Sequence, residues 1–238
     1  MTDQTLGKGY SNFINILLFT FPVIINSVKV AGDLVLLILT ITGIYVAISH
    51  KISPFKVKEL KLFSWMTIGY FLLVVLSIIF SGKAAELSHF ISRELYFLFA
   101  PFVAFAIFKA KINFTQLLLG IKFALIVSGI IILNQYLAGM DRPSGMMHAE
   151  LFGHINVLLL FFSISKFFEE TLWERIFTLT AFSVGLAVMI LNGTRGAWVV
   201  FIILAIIYLW LIYRQYFLYN KKVKIMLIAG LAIIMLGL

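Results

Sequence analysis

The stretch MILNGTRGAWVVF, residues 189–201, decides how this chain is read. Apolar sequence runs up to it and away from it, yet Asn192, Gly193, Thr194, Arg195 and Gly196 stand in the middle. The break is either a turn between two membrane helices or a place that needs an arginine. Working outward, the composition says what surrounds it. Hydrophobic residues make up 62% of the 238-residue chain and charged residues 12%, against about 25% charged in an ordinary soluble domain. An integral membrane protein is expected. The net charge of +9 does not imply nucleic acid, because the basic residues sit in short gaps between apolar runs and form no polar face. The chain has no cysteine, which excludes a disulfide framework, a thiolate metal site and a thiol nucleophile.

A spanning helix needs about 20 mostly apolar residues. Nine runs qualify: 11–28, 31–49, 62–81, 94–108, 113–137, 153–168, 176–192, 196–213 and 225–238. The first is read as a retained helix, since no cleavage-type small-residue site follows it. The fourth is short and contains Pro101, which predicts a kink or tilt. Lys29 and Asp33 flank a tight turn between the first two at a spacing that allows a pair. The runs are continuous rather than alternating, which favours helices over a β-barrel. The expected fold is all-α, a polytopic transmembrane bundle forming one domain over 1–238. The last run ends at Leu238, 14 residues after Lys224, and 14 residues reach only about 21 Å of a ~30 Å core. That helix is expected to be truncated.

Placing the N-terminus in the cytoplasm puts 14 Lys and Arg residues on the cytoplasmic side, Lys122 among them, and five on the other. This is the bias expected of inner-membrane proteins. The five are Lys29, Lys83, Arg93, Arg142 and Arg195. Two of them lie in unusual settings on the same outer face. Arg142 sits in LAGMDRPSGMMHAELFGHIN, residues 137–156, with Asp141, Ser144, His148, Glu150, His154 and Asn156; Arg195 sits in NGTRG. An arginine near the membrane is costly and is often kept for an anion or an ion pair. Its planar fork matches phosphate oxygens and keeps its proton. Taken singly, Arg195 reads as a helix-end anchor and Arg142 as a partner of Asp141 or Glu150. Arg93 and Glu94 read as anchors at the outer start of the fourth helix. His148 and His154 are six residues apart, which does not fit helical ligand spacing, so no metal site is expected. Ser144 has no evident base beside it.

Taken together, the two loops carry a resemblance. Arg142-Pro143-Ser144-Gly145 followed by Gly153-His154-Ile155-Asn156 resembles an R-x-S-G … G-[HN]-P-N pattern, with Ile155 in place of proline. Thr194-Arg195-Gly196-Ala197 resembles a T-x-S-R-G-A segment, with Thr194 where serine is common. These motifs, spread over about residues 142–212, resemble the O-antigen ligase-like family of bacterial inner-membrane proteins. That family includes O-antigen ligases, O-antigen polymerases and protein O-oligosaccharyltransferases. The resemblance implies transfer of a glycan from undecaprenyl diphosphate to lipid A-core, or to a protein acceptor, at the periplasmic face in lipopolysaccharide biosynthesis, without a metal or cofactor. It implies Arg142 and Arg195 as catalytic diphosphate ligands, with Ser144, His154, Asn156 and Thr194 beside them as substrate-binding residues. The family's acceptor-side histidine falls in a periplasmic region after the ninth helix, so no general base is assigned within these residues. Two other classes compete: a transporter of anions or lipid-linked solutes using the same arginines, and an inactive truncated remnant. A transporter would show inverted repeats and broken midplane helices, and the sequence displays neither.

Overall fold

Backbone N–H and C=O groups in hydrocarbon must find partners within the chain, and a helix supplies them locally. The computed structural model of the protein describes residues 7–27, 31–81, 87–110, 112–212 and 214. Among them the regular structure is helical throughout, without a strand. The eight α-helices are α1 (Lys8–Ser27), α2 (Ala31–Ser49), α3 (Lys58–Phe80), α4 (Leu87–Lys109), α5 (Phe114–Leu137), α6 (Ala149–Ser163), α7 (Leu172–Asn192) and α8 (Arg195–Ile212). Seven helical segments of the described residues are long and apolar enough to cross a membrane. The outward faces are apolar: Ile16, Tyr45, Leu73, Ile130 and Ile206 are exposed, and on α8 Ala197 alone is buried. Large apolar groups turned outward on helix after helix are what a lipid solvent selects. The protein is a multi-pass membrane protein.

Chain contacts fall into two compact units, Met1–Ala124 and Leu125–Leu238. In the first, Ile14, Leu18, Val35, Leu39, Ala106 and Ala110 form a buried core. Polar side chains add cross-helix bonds there: the Tyr10 hydroxyl donates to the Ala106 carbonyl (2.9 Å), and the Asn113 N–H donates to Asn15 Oδ1 (2.9 Å). Glycine sets how closely the helices approach. A Cβ on Gly43 would lie 2.0 Å from the Phe102 carbonyl oxygen, and one on Gly120 would lie 2.2 Å from that of Phe19. Small residues let membrane helices pack backbone to backbone.

In the second unit, Ile132, Phe152 and Val188 form one buried cluster, and Val157, Met189 and Ala197 another. Gly185 of α7 faces Leu160 and Leu125, where an added Cβ would stand 2.6 and 2.9 Å from their methyl carbons. At the start of α7 the Glu174 carboxylate accepts from the Thr171 N–H and hydroxyl, each at 2.8 Å. This satisfies one of the N–H groups that a helix start leaves without a partner.

Several helix limits differ from those read off hydropathy. α3 begins at Lys58 rather than 62, because Lys58, Glu59 and Lys61 are good helix formers despite their charge. α4 begins at Leu87 rather than 94, so it is a 23-residue helix that contains Arg93, Glu94 and Pro101 instead of a short one starting beside them. α6 runs Ala149–Ser163, starting four residues and ending five residues before the expected 153–168, and the polar turn after it holds a single 3-10 turn at Phe167–Glu169. Lys122, assigned to a cytoplasmic segment, lies within α5 and is buried. The expected ninth helix, 225–238, and Lys29 lie outside the described residues.

Candidate functional site

The polar end of the second unit is built on two positive-φ glycines at helix ends. Gly139, at φ +83°, stops α5: its N–H donates to the Tyr136 carbonyl (2.9 Å) and the Met140 N–H to that of Gln135 (3.1 Å). This is the Schellman arrangement, which favours glycine because a Cβ clashes in the left-handed region. Gly193, at φ +66°, stops α7 in a related way, with its N–H on the Met189 carbonyl (3.3 Å). One residue intervenes before α8 starts at Arg195. NGTRG is therefore a very tight helix-to-helix turn, and Thr194 occupies the N-cap position of α8.

The RPSG loop is pinned against this turn from two sides. From α5, Gln135 Oε1 accepts the N–H groups of Ser144 (3.0 Å) and Gly145 (2.8 Å), and its Nε2 donates to the Gly145 carbonyl (2.8 Å). From the end of α7, Asn192 Nδ2 donates to the Pro143 carbonyl (3.0 Å). Arg142 then donates through one terminal nitrogen to Thr194 Oγ1 (3.3 Å). The Thr194 hydroxyl itself lies against the Ala149 carbonyl (3.1 Å), at the first residue of α6, and against Asn192 Oδ1. Asn192 and Thr194 are almost fully buried, while Arg142 and Arg195 are exposed. The two loops that the sequence placed on one face thus meet.

Around this junction lies a cavity of about 580 Å³, lined by Arg142, Glu150, His154, Gly193, Thr194, Arg195 and Gly196. Its size falls within the roughly 300–1,000 Å³ usual for ligand sites. Neither Arg142 nor Arg195 forms an ion pair with a carboxylate among the described residues. Arg142 is thus partnered by Thr194 and not by Asp141 or Glu150. The first N–H groups of α8 add to the positive side of the cavity, since a helix start leaves them without intrahelical acceptors. Two guanidinium groups and a helix start around a polar space form an anion-binding arrangement.

The remaining sequence candidates are placed differently. His154 lines the cavity, with Nδ1 2.6 Å from the Glu150 carbonyl one turn back on α6. The Ser144 hydroxyl donates to the Met147 carbonyl (2.9 Å), so it serves the loop rather than the cavity. Asn156 is fully buried, and its amide donates to the Gly185 carbonyl (2.9 Å) between α6 and α7. Gln135 was not among the candidates. Its only sequence signal is a polar residue near the end of an apolar run, ten positions before a glycine. Gln135→Leu is expected to lower stability by about 2–3 kcal/mol, because one acceptor and two donors of the loop lose their partner. The check is the thermal unfolding midpoint in detergent together with limited proteolysis, which should newly cut within 138–148.

No protein-family model matches this chain, and a search of curated proteins finds no match.

Proposed function

We propose that this chain is a glycan transferase of the O-antigen ligase type, acting on undecaprenyl-diphosphate-linked glycan with lipid A-core as acceptor. Arg142 and Arg195 bind the diphosphate, and their fixed charge offsets the negative charge that grows on it as the glycosidic bond breaks. The observation that carries this reading is that two arginines from separate loops, neither neutralised by a carboxylate among the described residues, line one polar cavity. The Lys and Arg bias supports a cytoplasmic N-terminus, and hence a cavity at the periplasmic face of a bacterial inner membrane. The donor chemistry is shared with O-antigen polymerases and protein O-oligosaccharyltransferases, which differ in the acceptor.

The test is a strain lacking the chain. The expected result is lipid A-core without long-chain glycan, together with accumulated undecaprenyl-linked glycan. Lipid A-core carrying single repeat units would move the reading to a polymerase. Unglycosylated periplasmic protein would move it to an oligosaccharyltransferase. Unchanged glycans and unchanged lipid-linked donor would overturn it.

A further inference from the structure

The first unit holds a second cavity, a groove of about 600 Å³ along α4. On α4 its lining runs from Leu95 to Ile107, about 18 Å of helix at ~1.5 Å per residue. α2 forms another wall with Leu36, Leu37 and Thr40, and α3 contributes Phe63. The backbones of α2 and α4 touch at Gly43 and Phe102, where no Cβ fits. So close an approach fixes the two walls relative to each other. The groove is therefore built into the packing of the helices.

Its lining is apolar except for Asp33, Thr40 and Tyr96. The Thr40 hydroxyl is taken up within α2, donating to the Leu36 carbonyl (2.8 Å). Asp33 and Tyr96 meet at one end, where the Tyr96 hydroxyl donates to the Asp33 side chain. Among the described residues Asp33 is the one charged side chain of the lining. It is exposed and forms no ion pair among them. It stands in the first turn of α2, where a spanning helix enters the bilayer. A helix start favours a carboxylate whatever lies beside it. That does not account for Tyr96, which reaches from α4 to hold the carboxylate at the rim of the groove. From this rim about 18 Å of apolar wall runs inward, close to the ~15 Å that is half a ~30 Å hydrocarbon core. A ligand with a polar head at the helix start and hydrocarbon over that depth is a lipid of one leaflet. The sign of the rim selects its head. A carboxylate attracts an ammonium, which brings three N–H donors, and repels an anionic headgroup.

We propose that this groove binds a phospholipid with a primary ammonium headgroup, of the phosphatidylethanolamine class. The ammonium lies on the Asp33 carboxylate, and one acyl chain lies along α4 between Leu95 and Ile107. Tyr96 orients the carboxylate and leaves it lone pairs for the head. The site stands whether or not the chain transfers glycan, and its charge disfavours an undecaprenyl diphosphate.

The experiment places the full chain in nanodiscs of equal phosphatidylethanolamine and phosphatidylglycerol, and identifies the tightly held lipid by native mass spectrometry. Wild type is expected to hold phosphatidylethanolamine over phosphatidylglycerol by about fivefold, the upper range for an exposed ion pair. Asp33→Asn keeps the shape of the rim and loses its charge, so the preference should vanish while lipid is still held. Tyr96→Phe frees the carboxylate to turn and should lower the preference in part. Ala100→Trp fills the groove and should lose the tightly held lipid of either kind. Gly69→Ala, outside the lining, should match wild type. A full preference in Asp33→Asn overturns the headgroup assignment, and lipid held at the wild-type level by Ala100→Trp overturns the groove. So does a wild-type protein that holds no lipid, or a bound protein in its place. A preference for phosphatidylglycerol, as a dominant Lys29 at the same end would give, overturns it as well. So does undecaprenyl diphosphate, added in equal amount, displacing the phosphatidylethanolamine.

Discussion

Alanine at Arg195 is expected to lower glycan transfer by about 10²–10³-fold, the usual loss when one preorganised donor to a developing anion is removed. Arg142→Ala should lose a similar factor. The two guanidinium groups reach the cavity from different elements, the RPSG loop and the first turn of α8. Arg195 forms no ion pair among the described residues, so its removal strands no buried carboxylate and should leave insertion and folding intact. Arg142 gives up one contact, to Thr194, and its variant should unfold only slightly earlier. Lysine at either site should rescue in part, because it keeps the charge and loses the fork. Losses at one site acting with the other are not expected to add, since both hold one group. The measurements are transfer rate and undecaprenyl diphosphate binding for each variant. Near-normal transfer in both alanine variants would remove the site from the mechanism.

Alanine at Gly153 is the second change expected to be severe, and it acts from behind the cavity. Its Cβ would lie 2.9 Å from Asn192 Oδ1, 3.0 Å from Thr194 Cβ and 3.2 Å from Ala197 Cβ. These atoms sit on short, buried side chains, so none can swing aside. The turn between α7 and α8 must shift instead. Overpacking of this kind costs about 1–3 kcal/mol. The displaced residues are the ones that hold the RPSG loop and Arg142. A misplacement of about 1 Å at such a site can cost ~10²-fold in rate, so transfer should fall further than stability does. Gly69→Ala is the matched control. Nothing lies within 4 Å of a Cβ there, and alanine is favoured over glycine within a helix by roughly 0.5–1 kcal/mol. Equal thermal midpoints and transfer rates for the Gly153 and Gly69 variants would refute the argument.

Apolar runs betray membrane helices because lipid demands them, and α1, α2, α5 and α8 follow their runs to within three residues at each end. Limits were harder, for a physical reason. Hydropathy ends where charge begins, but a backbone helix continues through Lys58 and Glu59, or Arg93 and Glu94, as long as its hydrogen bonds close. At the site, two arginines and a shared side were visible. What joins them was not. Gln135 acts through the backbone of a loop whose Gly145 stands at φ +65°, and no residue pattern announces that conformation. Asn156 illustrates the reverse: a polar residue within a motif-like run, whose amide is taken up by the Gly185 carbonyl in the packing of α6 on α7.

The Thr194 hydroxyl has a single proton, and two acceptors, the Ala149 carbonyl and Asn192 Oδ1, stand on its inner side. Whichever takes the proton, the hydroxyl can show the cavity lone pairs only. Its lone pair accepts from the Arg142 guanidinium. The wall of the cavity is therefore sorted by polarity, with donating arginines and an accepting threonine side by side. On the proposed function, the anionic end of a ligand would face the two guanidinium groups that line this wall.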